Sequence, residues 1–169
     1  MSVLNREQNL VINPALGGTA LWRFACGYSP KDMEAQHAPL PLLVIALPIV
    51  LNERFRDIVL GTQKSRGLSA FAEKFYLTKF KEVEKDEIAA ISRGVPQYRK
   101  FTLNSIAVAI RTNLISLDAD TARILPMHHN NIKNIPKSVK DILDASEKLG
   151  IWCRGTDLAA VQNLLSVSL

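Results

Sequence analysis

Residues 114–127 read LISLDADTARILPM, and the reading of this stretch decides the fold. Apolar side chains alternate on both sides of Asp118-Ala119-Asp120 until Pro126 stops the run. That is the pattern of two short strands joined by a polar turn. Just upstream, Thr102 is placed to cap a helix over LNSIAVAIRTNLI (103–115). Leu103, Ile106, Ala107, Ile110 and Leu114 recur there at three- and four-residue steps and predict the inward face. Asn104, Ser105, Arg111 and Asn113 are left for the outward face. Several helices followed directly by a hairpin is the order of a winged helix, with 102–115 as its recognition-like helix and 116–126 as its wing. The expected fold class is mostly α with a small β-hairpin, a winged-helix-like core flanked by N- and C-terminal helices.

The flanks agree with a helical reading. NPALGGTALWRFACGY (13–28) offers Asn13 as a cap and Pro14 in the first turn, so a helix is expected over 14–27. Gly17 and Gly18 lie inside it, and apolar residues occupy nearly its whole circumference. A helix apolar all round must be covered on all sides. We expect the core to cover one face and a partner protein the other, with Trp22, Phe24 and Tyr28, together with Trp152, as docking residues. The glycines let another backbone come close.

PLPLLVIALPIVLN (39–52) follows a loop that contains His37. Its apolar run of 12 residues, Leu40 to Leu51, is broken by Pro41 and Pro48 and falls short of the roughly 20 that a membrane span needs. It predicts a buried helix, because it leads directly into helical sequence, with a strand through Val44, Ile45, Ile49 and Val50 as the alternative that periodicity alone does not decide. Asn52 can cap the next helix, which stops at Gly61; GLSAFAEKFYLTKF (67–80) predicts another, and EKDEIAAISRG (84–94) a short one closing at Gly94. Past the wing, Pro136 to Leu149 predicts an amphipathic helix ended by Gly150, and 157–167 a last one, with Ile151 and Trp152 between them. The chain of 169 residues is expected to form one domain: N-terminal buried helices over 1–51, the winged-helix-like core over 52–126 and a C-terminal helical part over 127–169.

Charge is distributed unevenly. Residues 52–111 hold 12 Lys/Arg against 7 Asp/Glu, whereas the remainder holds nine of each, so the net charge of +5 belongs to the central segment. Its candidate nucleic-acid contacts are Arg54, Arg56, Lys64, Arg66, Lys74, Lys79 and Lys81, joined by Arg99, Lys100 and Arg111 on or beside the recognition-like helix. That helix is sparse in Arg and Lys for a major-groove reader, which points to backbone contact with DNA at most.

Catalytic chemistry finds little to stand on. No glycine-rich phosphate loop is present, since Gly17-Gly18 is followed by no Gly-Lys-Ser/Thr. His128 and His129 are adjacent rather than three or four apart, which is poor spacing for a shared metal. Cys26 and Cys153 fit no zinc or redox spacing and are expected to be buried, reduced thiols. No catalytic residue, metal, cofactor, small-molecule substrate or membrane contact is expected. The mixed N-terminal sequence, without a charged-then-apolar signal pattern, leads us to expect a cytoplasmic protein.

Four stretches together resemble a known family: NPALGGTALWRFACGY, PLPLLVIALPIVLN, the wing-like LISLDADTARILP and the ending EKLGIWCRGTDLAAVQNLLSV (147–167). The chain is similar to the middle component of bacterial three-component ABC/SMC-type conflict systems, the small accessory subunit of Lamassu-type defence operons. Gly18 and Thr19 depart from the more aliphatic residues expected there. The resemblance implies a non-enzymatic subunit that bridges an SMC-like or Rad50-like ABC ATPase and an effector, often a nuclease, in anti-phage or anti-plasmid defence by abortive infection or plasmid loss. The alternative, from the basic segment and the hairpin alone, is a free-standing winged-helix transcriptional regulator.

Overall fold

Asn13 opens the first helix as expected, its side-chain oxygen accepting from the Ala15 N–H at 2.9 Å. In the computed structural model, which describes residues 13–31, 36–79 and 85–165, this helix, α1, spans Pro14–Tyr28. It is followed by β1 (Ala38–Pro39), α2 (Leu40–Leu51), α3 (Glu53–Gly61), a 3-10 turn (Lys64–Arg66), α4 (Gly67–Lys79) and α5 (Lys85–Arg111). β2 (Ile115–Asp118), β3 (Arg123–Pro126), α6 (Lys137–Arg154) and α7 (Leu158–Leu165) complete the order. The molecule is mostly helical with one small antiparallel sheet.

The hairpin forms where alternation predicts it, with Leu117 opposite Ile124 and Ile115 opposite Pro126. Asp118 organises its turn, accepting from the Asp120 N–H at 3.0 Å and the Thr121 hydroxyl at 2.6 Å. A third strand joins from far upstream: β1 pairs with β3, placing Ala38 against Ile124, and both side chains are buried. The sequence HAPLP reads as loop, because a two-residue strand carries no periodicity. The helix-then-hairpin order is compatible with a winged-helix arrangement.

α1 runs through the middle of the fold. It packs most extensively on α6 and α5, and touches α2 and β3 as well. Trp22, Phe24, Ala25 and Leu21 are fully buried. Two glycine contacts set these distances. A Cβ on Gly27 would collide with the Glu147 carbonyl oxygen of α6, and one on Gly150 would collide with the Phe24 carbonyl oxygen of α1. The two backbones therefore cross in direct contact, glycine beside helix on both sides. At the other end of α1, a Cβ on Gly18 would lie 2.8 Å from the Ser105 carbonyl oxygen of α5.

These crossings account for three departures from the expected elements. Gly150 does not end a helix: α6 runs on to Arg154, so Ile151 and Trp152 are helical rather than a hinge. The residues 85–111 form one helix rather than two, continuing through Gly94 and Pro96, so Thr102 is not a cap but a buried residue in mid-helix. The inward face of α5 is also turned from the predicted one. Thr102, Ser105, Ile106 and Ala109 are buried, whereas Leu103, Ala107 and Ile110 are exposed. Ser105 and Ala109 take the positions opposite Gly17 and Gly18, where the α1 backbone comes close, while Ile106 is buried as predicted. Ser105 remains tolerable there because its hydroxyl donates to the Phe101 carbonyl at 2.9 Å.

α5 closes on Asn113, which has φ +55°, with the Leu114 N–H bonded to the Ala109 carbonyl and the Asn113 N–H to the Ile110 carbonyl. This left-handed cap turns the chain sharply into β2. α2 is buried on nearly every side despite Pro48 in its interior. Asn52 caps α3 by accepting from the Phe55 N–H at 3.2 Å.

Candidate functional site

The expected basic cluster divides once the side chains are placed. Arg56 donates to the Val50 carbonyl at 3.2 Å and so is tied to the end of α2. Arg54 is half-buried and likewise engaged in interactions within the chain. Lys74 donates to the Thr62 hydroxyl at 3.3 Å. Lys64 and Arg66 stand exposed on the 3-10 turn, and Arg99, Lys100 and Arg111 stand exposed on α5. Lys81 lies outside the described residues, as does the side chain of Lys79. The sequence thus overstates the patch: part of its charge serves helix junctions, and the rest is split between two elements.

Lys148 is the functional-looking cation that pattern reading misses. From α6 it donates to three carbonyls at the end of α3 and just past it: Val59 at 3.2 Å, Leu60 at 2.9 Å and Thr62 at 3.0 Å. A lysine here satisfies carbonyls the helix leaves unpaired and complements the negative end of its dipole. Burial, reinforced by the charge of Lys64, draws its ammonium below the usual lysine range. The spacing of SEKLGIW reads only as a surface lysine, since its partners are about ninety residues away in the chain. Lys148, Lys64, Leu60, Asp144 and Glu147 line an open hollow of about 360 Å³. Two lysines and two carboxylates balance among the lining residues, so the lining carries no formal net charge.

Trp22, Phe24, Tyr28 and Trp152, expected to dock a partner, are all buried within this chain. The Trp22 indole N–H donates to the His128 carbonyl at 2.8 Å, and its ring meets the His128 imidazole with centroids 5.0 Å apart. The Trp152 indole N–H donates to the Lys64 carbonyl at 2.9 Å, and its ring packs on Phe71. Both indoles therefore fasten loops onto helices. The apolar circumference of α1 is covered from inside the molecule.

The two thiols are also structural in character. Burial pushes Cys26 and Cys153 up to about 12, far from the thiolate that a nucleophile requires. His129 bonds through its ring nitrogen to the Ser29 carbonyl at 2.6 Å. Among the described residues no three His, Cys, Asp or Glu side chains come together as a metal-binding group, and no helix is long and apolar enough to cross a membrane.

What remains at the surface is an apolar strip on α5, formed by Leu103, Ala107 and Ile110, with Leu117 of β2 also exposed further along the chain. Arg99, Lys100 and Arg111 stand on the same helix. Such a surface binds other macromolecules better than it transforms small ones.

Comparison with known proteins gives the same orientation. The family model described as ABC-three component (ABC-3C) system Middle Component 3 matches residues 1–169. No curated protein and no solved structure matches the chain. A middle component of a multi-component ABC system implies partner subunits. The match spans the whole sequence, and the chain belongs to the family of ABC-three component system middle components of type 3.

Proposed function

We propose that this chain is a non-enzymatic accessory subunit that bridges an SMC-like ABC ATPase and an effector, often a nuclease, in a Lamassu-type bacterial defence complex of the cytoplasm. Its work there is to couple DNA sensing by the ATPase to control of the effector, with abortive infection or plasmid loss as the outcome. The full-length family match carries this reading. The buried, protonated thiols and the charge-balanced hollow support a role without chemistry of its own.

DNA contact in this role is to the phosphate backbone, through Lys64 and Arg66 on the exposed 3-10 turn. The alternative of a free-standing winged-helix regulator is weakened by the helix that would read the groove, which offers Leu103, Ala107 and Ile110 to solvent. Base edges are read by polar side chains, and these apolar positions interrupt Asn104 and Arg111 on that helix.

The test is co-expression with the proposed SMC-like ABC ATPase subunit, followed by purification on a tag carried by the ATPase. A stoichiometric complex that survives size-exclusion chromatography is expected. Recovery of this chain as a free monomer, with the ATPase alone in its own peak, would remove the proposal. In the assembled complex, charge reversal at Lys64 and Arg66 should lower DNA-dependent activation while the complex still forms. Unchanged activation would assign those two residues to solubility only.

A further inference from the structure

The strip on α5 has a spacing that identifies its occupant. Leu103, Ala107 and Ile110 follow one another at steps of four and three, one heptad of a seam on a single face of the helix. Within this chain that stripe goes unused. Leu103 is 55% exposed, Ile110 36%, and Ala107 is exposed as well. Leaving two large aliphatic side chains in water on one helical stripe costs free energy that burial against another helix would recover, at about 25 cal/mol per Å². The inward face of the same helix is already filled by Thr102, Ser105, Ile106 and Ala109, so Leu103 and Ile110 are left over for the outside.

The charge beside the seam is of one sign. Residues 98–117 contain Arg99, Lys100 and Arg111 and not a single Asp or Glu. All three cations are exposed, and no ion pair holds any of them among the described residues. A second copy of this chain would bring the same cations against themselves, which flanking charges of a helix pair disfavour. An occupant with acidic flanks is complementary.

We infer that the exposed seam of α5 docks an amphipathic helix of a partner subunit, one with an aliphatic heptad stripe flanked by Asp or Glu. This names the surface by which the proposed accessory subunit engages its complex, and it rests on that reading for the source of the helix.

The probe is a synthetic three-heptad helical peptide with Leu at both seam positions and Glu at the flanks, compared with its counterpart carrying Lys at the flanks. Fluorescence anisotropy with the full-length protein should show the Glu peptide binding at least about tenfold more tightly, with the advantage shrinking as salt is raised. The L103E/I110E variant should lose the Glu peptide while keeping its circular dichroism and melting temperature, because both positions face solvent. The R99E/K100E/R111E variant should reverse the preference and select the Lys peptide.

Equal affinity for the two peptides, no binding of either, or wild-type binding by L103E/I110E would each overturn the inference. So would a dimer of the full chain that L103E/I110E dissolves, which would make a second copy the occupant. Loss of duplex DNA retention without loss of peptide binding in R99E/K100E/R111E would assign the cations to nucleic acid and overturn it likewise. If L103E/I110E co-purifies with the ATPase as wild type does, the docking surface falls and the accessory-subunit reading stands. If wild type binds the Glu peptide but recovers no ATPase, the surface stands and that reading falls.

Discussion

At the scale of single residues, the polar and ionisable groups of this chain mostly hold parts together. Cys26 and Cys153 are the clearest case, because burial raises both from an ordinary value near 9 to about 12. Each thiol stays protonated in the folded state while the unfolded chain already loses its proton near pH 9. Their contribution is therefore fully present below pH 9 and is lost as pH rises from 9 toward 12. The loss amounts to at most about 1.4 kcal/mol per pH unit for each thiol. Urea denaturation should show stability nearly flat from pH 7 to 8.5 and falling between 9.5 and 11, with a shallower fall in the Cys26→Ala/Cys153→Ala double variant. An identical alkaline slope in that variant would show that other groups govern it. Lys148 acts in the opposite sense, as a charge kept near carbonyls. Lys148→Met leaves the ends of three bonds unmet on Val59, Leu60 and Thr62 and should cost about 1–3 kcal/mol. A melting temperature unchanged from wild type would mean that water satisfies those carbonyls equally well.

At the scale of elements, the glycines decide where helices cross, and their effects should rank by what lies opposite. Alanine is favoured over glycine in a helix by about 1 kcal/mol, so a substitution with open space around it should stabilise. Gly61 has nothing within 4 Å of a new Cβ, and Gly61→Ala is expected to raise the denaturation midpoint. Gly27→Ala and Gly150→Ala set a methyl against rigid carbonyls of the facing helix and should destabilise by several kcal/mol, with Gly18→Ala intermediate. A Gly150→Ala protein as stable as wild type would show that α1 and α6 separate freely, against the crossing described. The same residues explain what could and could not be read beforehand. Periodicity and caps locate α1, α3, α4 and the hairpin, because those signals are local, whereas α2 is legible only from its lead into helical sequence. Gly150 looks identical in sequence whether it ends a helix or admits a neighbour, and the choice depends on Phe24, far away in the chain. On α5 the expected inward face holds at Ile106 but not at Leu103, Ala107 and Ile110: hydrophobicity favours Leu103, whereas the close approach of Gly17 and Gly18 selects Ser105 and Ala109. Of the candidate surface, the sequence names the cations but not their partners: Arg56 and Lys74 bond to Val50 and Thr62 through contacts set by tertiary structure, while Lys64, Arg66, Arg99, Lys100 and Arg111 stand exposed.

At the scale of the whole molecule, the fold is arranged around α1, and this changes what its apolar circumference means. The sequence suggests a helix half-covered and awaiting a partner. In the structure α5, α6, α2 and β3 surround it, and the indole of Trp22 reaches across to the loop at His128. A helix enclosed by elements from both halves of the chain cannot come loose without exposing the core of all of them, so unfolding should be cooperative. The isolated chain should accordingly be a folded monomer with a single denaturation transition, without needing a partner subunit in order to fold. Trp22→Ala removes a fully buried side chain at this centre and should cost about 3–5 kcal/mol, lowering the urea midpoint without changing the slope. A partner bound at the α5 seam leaves Trp22 untouched, so the partner should raise wild type and Trp22→Ala by the same increment of stability. If Trp22→Ala instead folds with wild-type stability and fails only in assembly, Trp22 belongs to an interface, and the enclosure of α1 within its own chain is not the state that works in the complex.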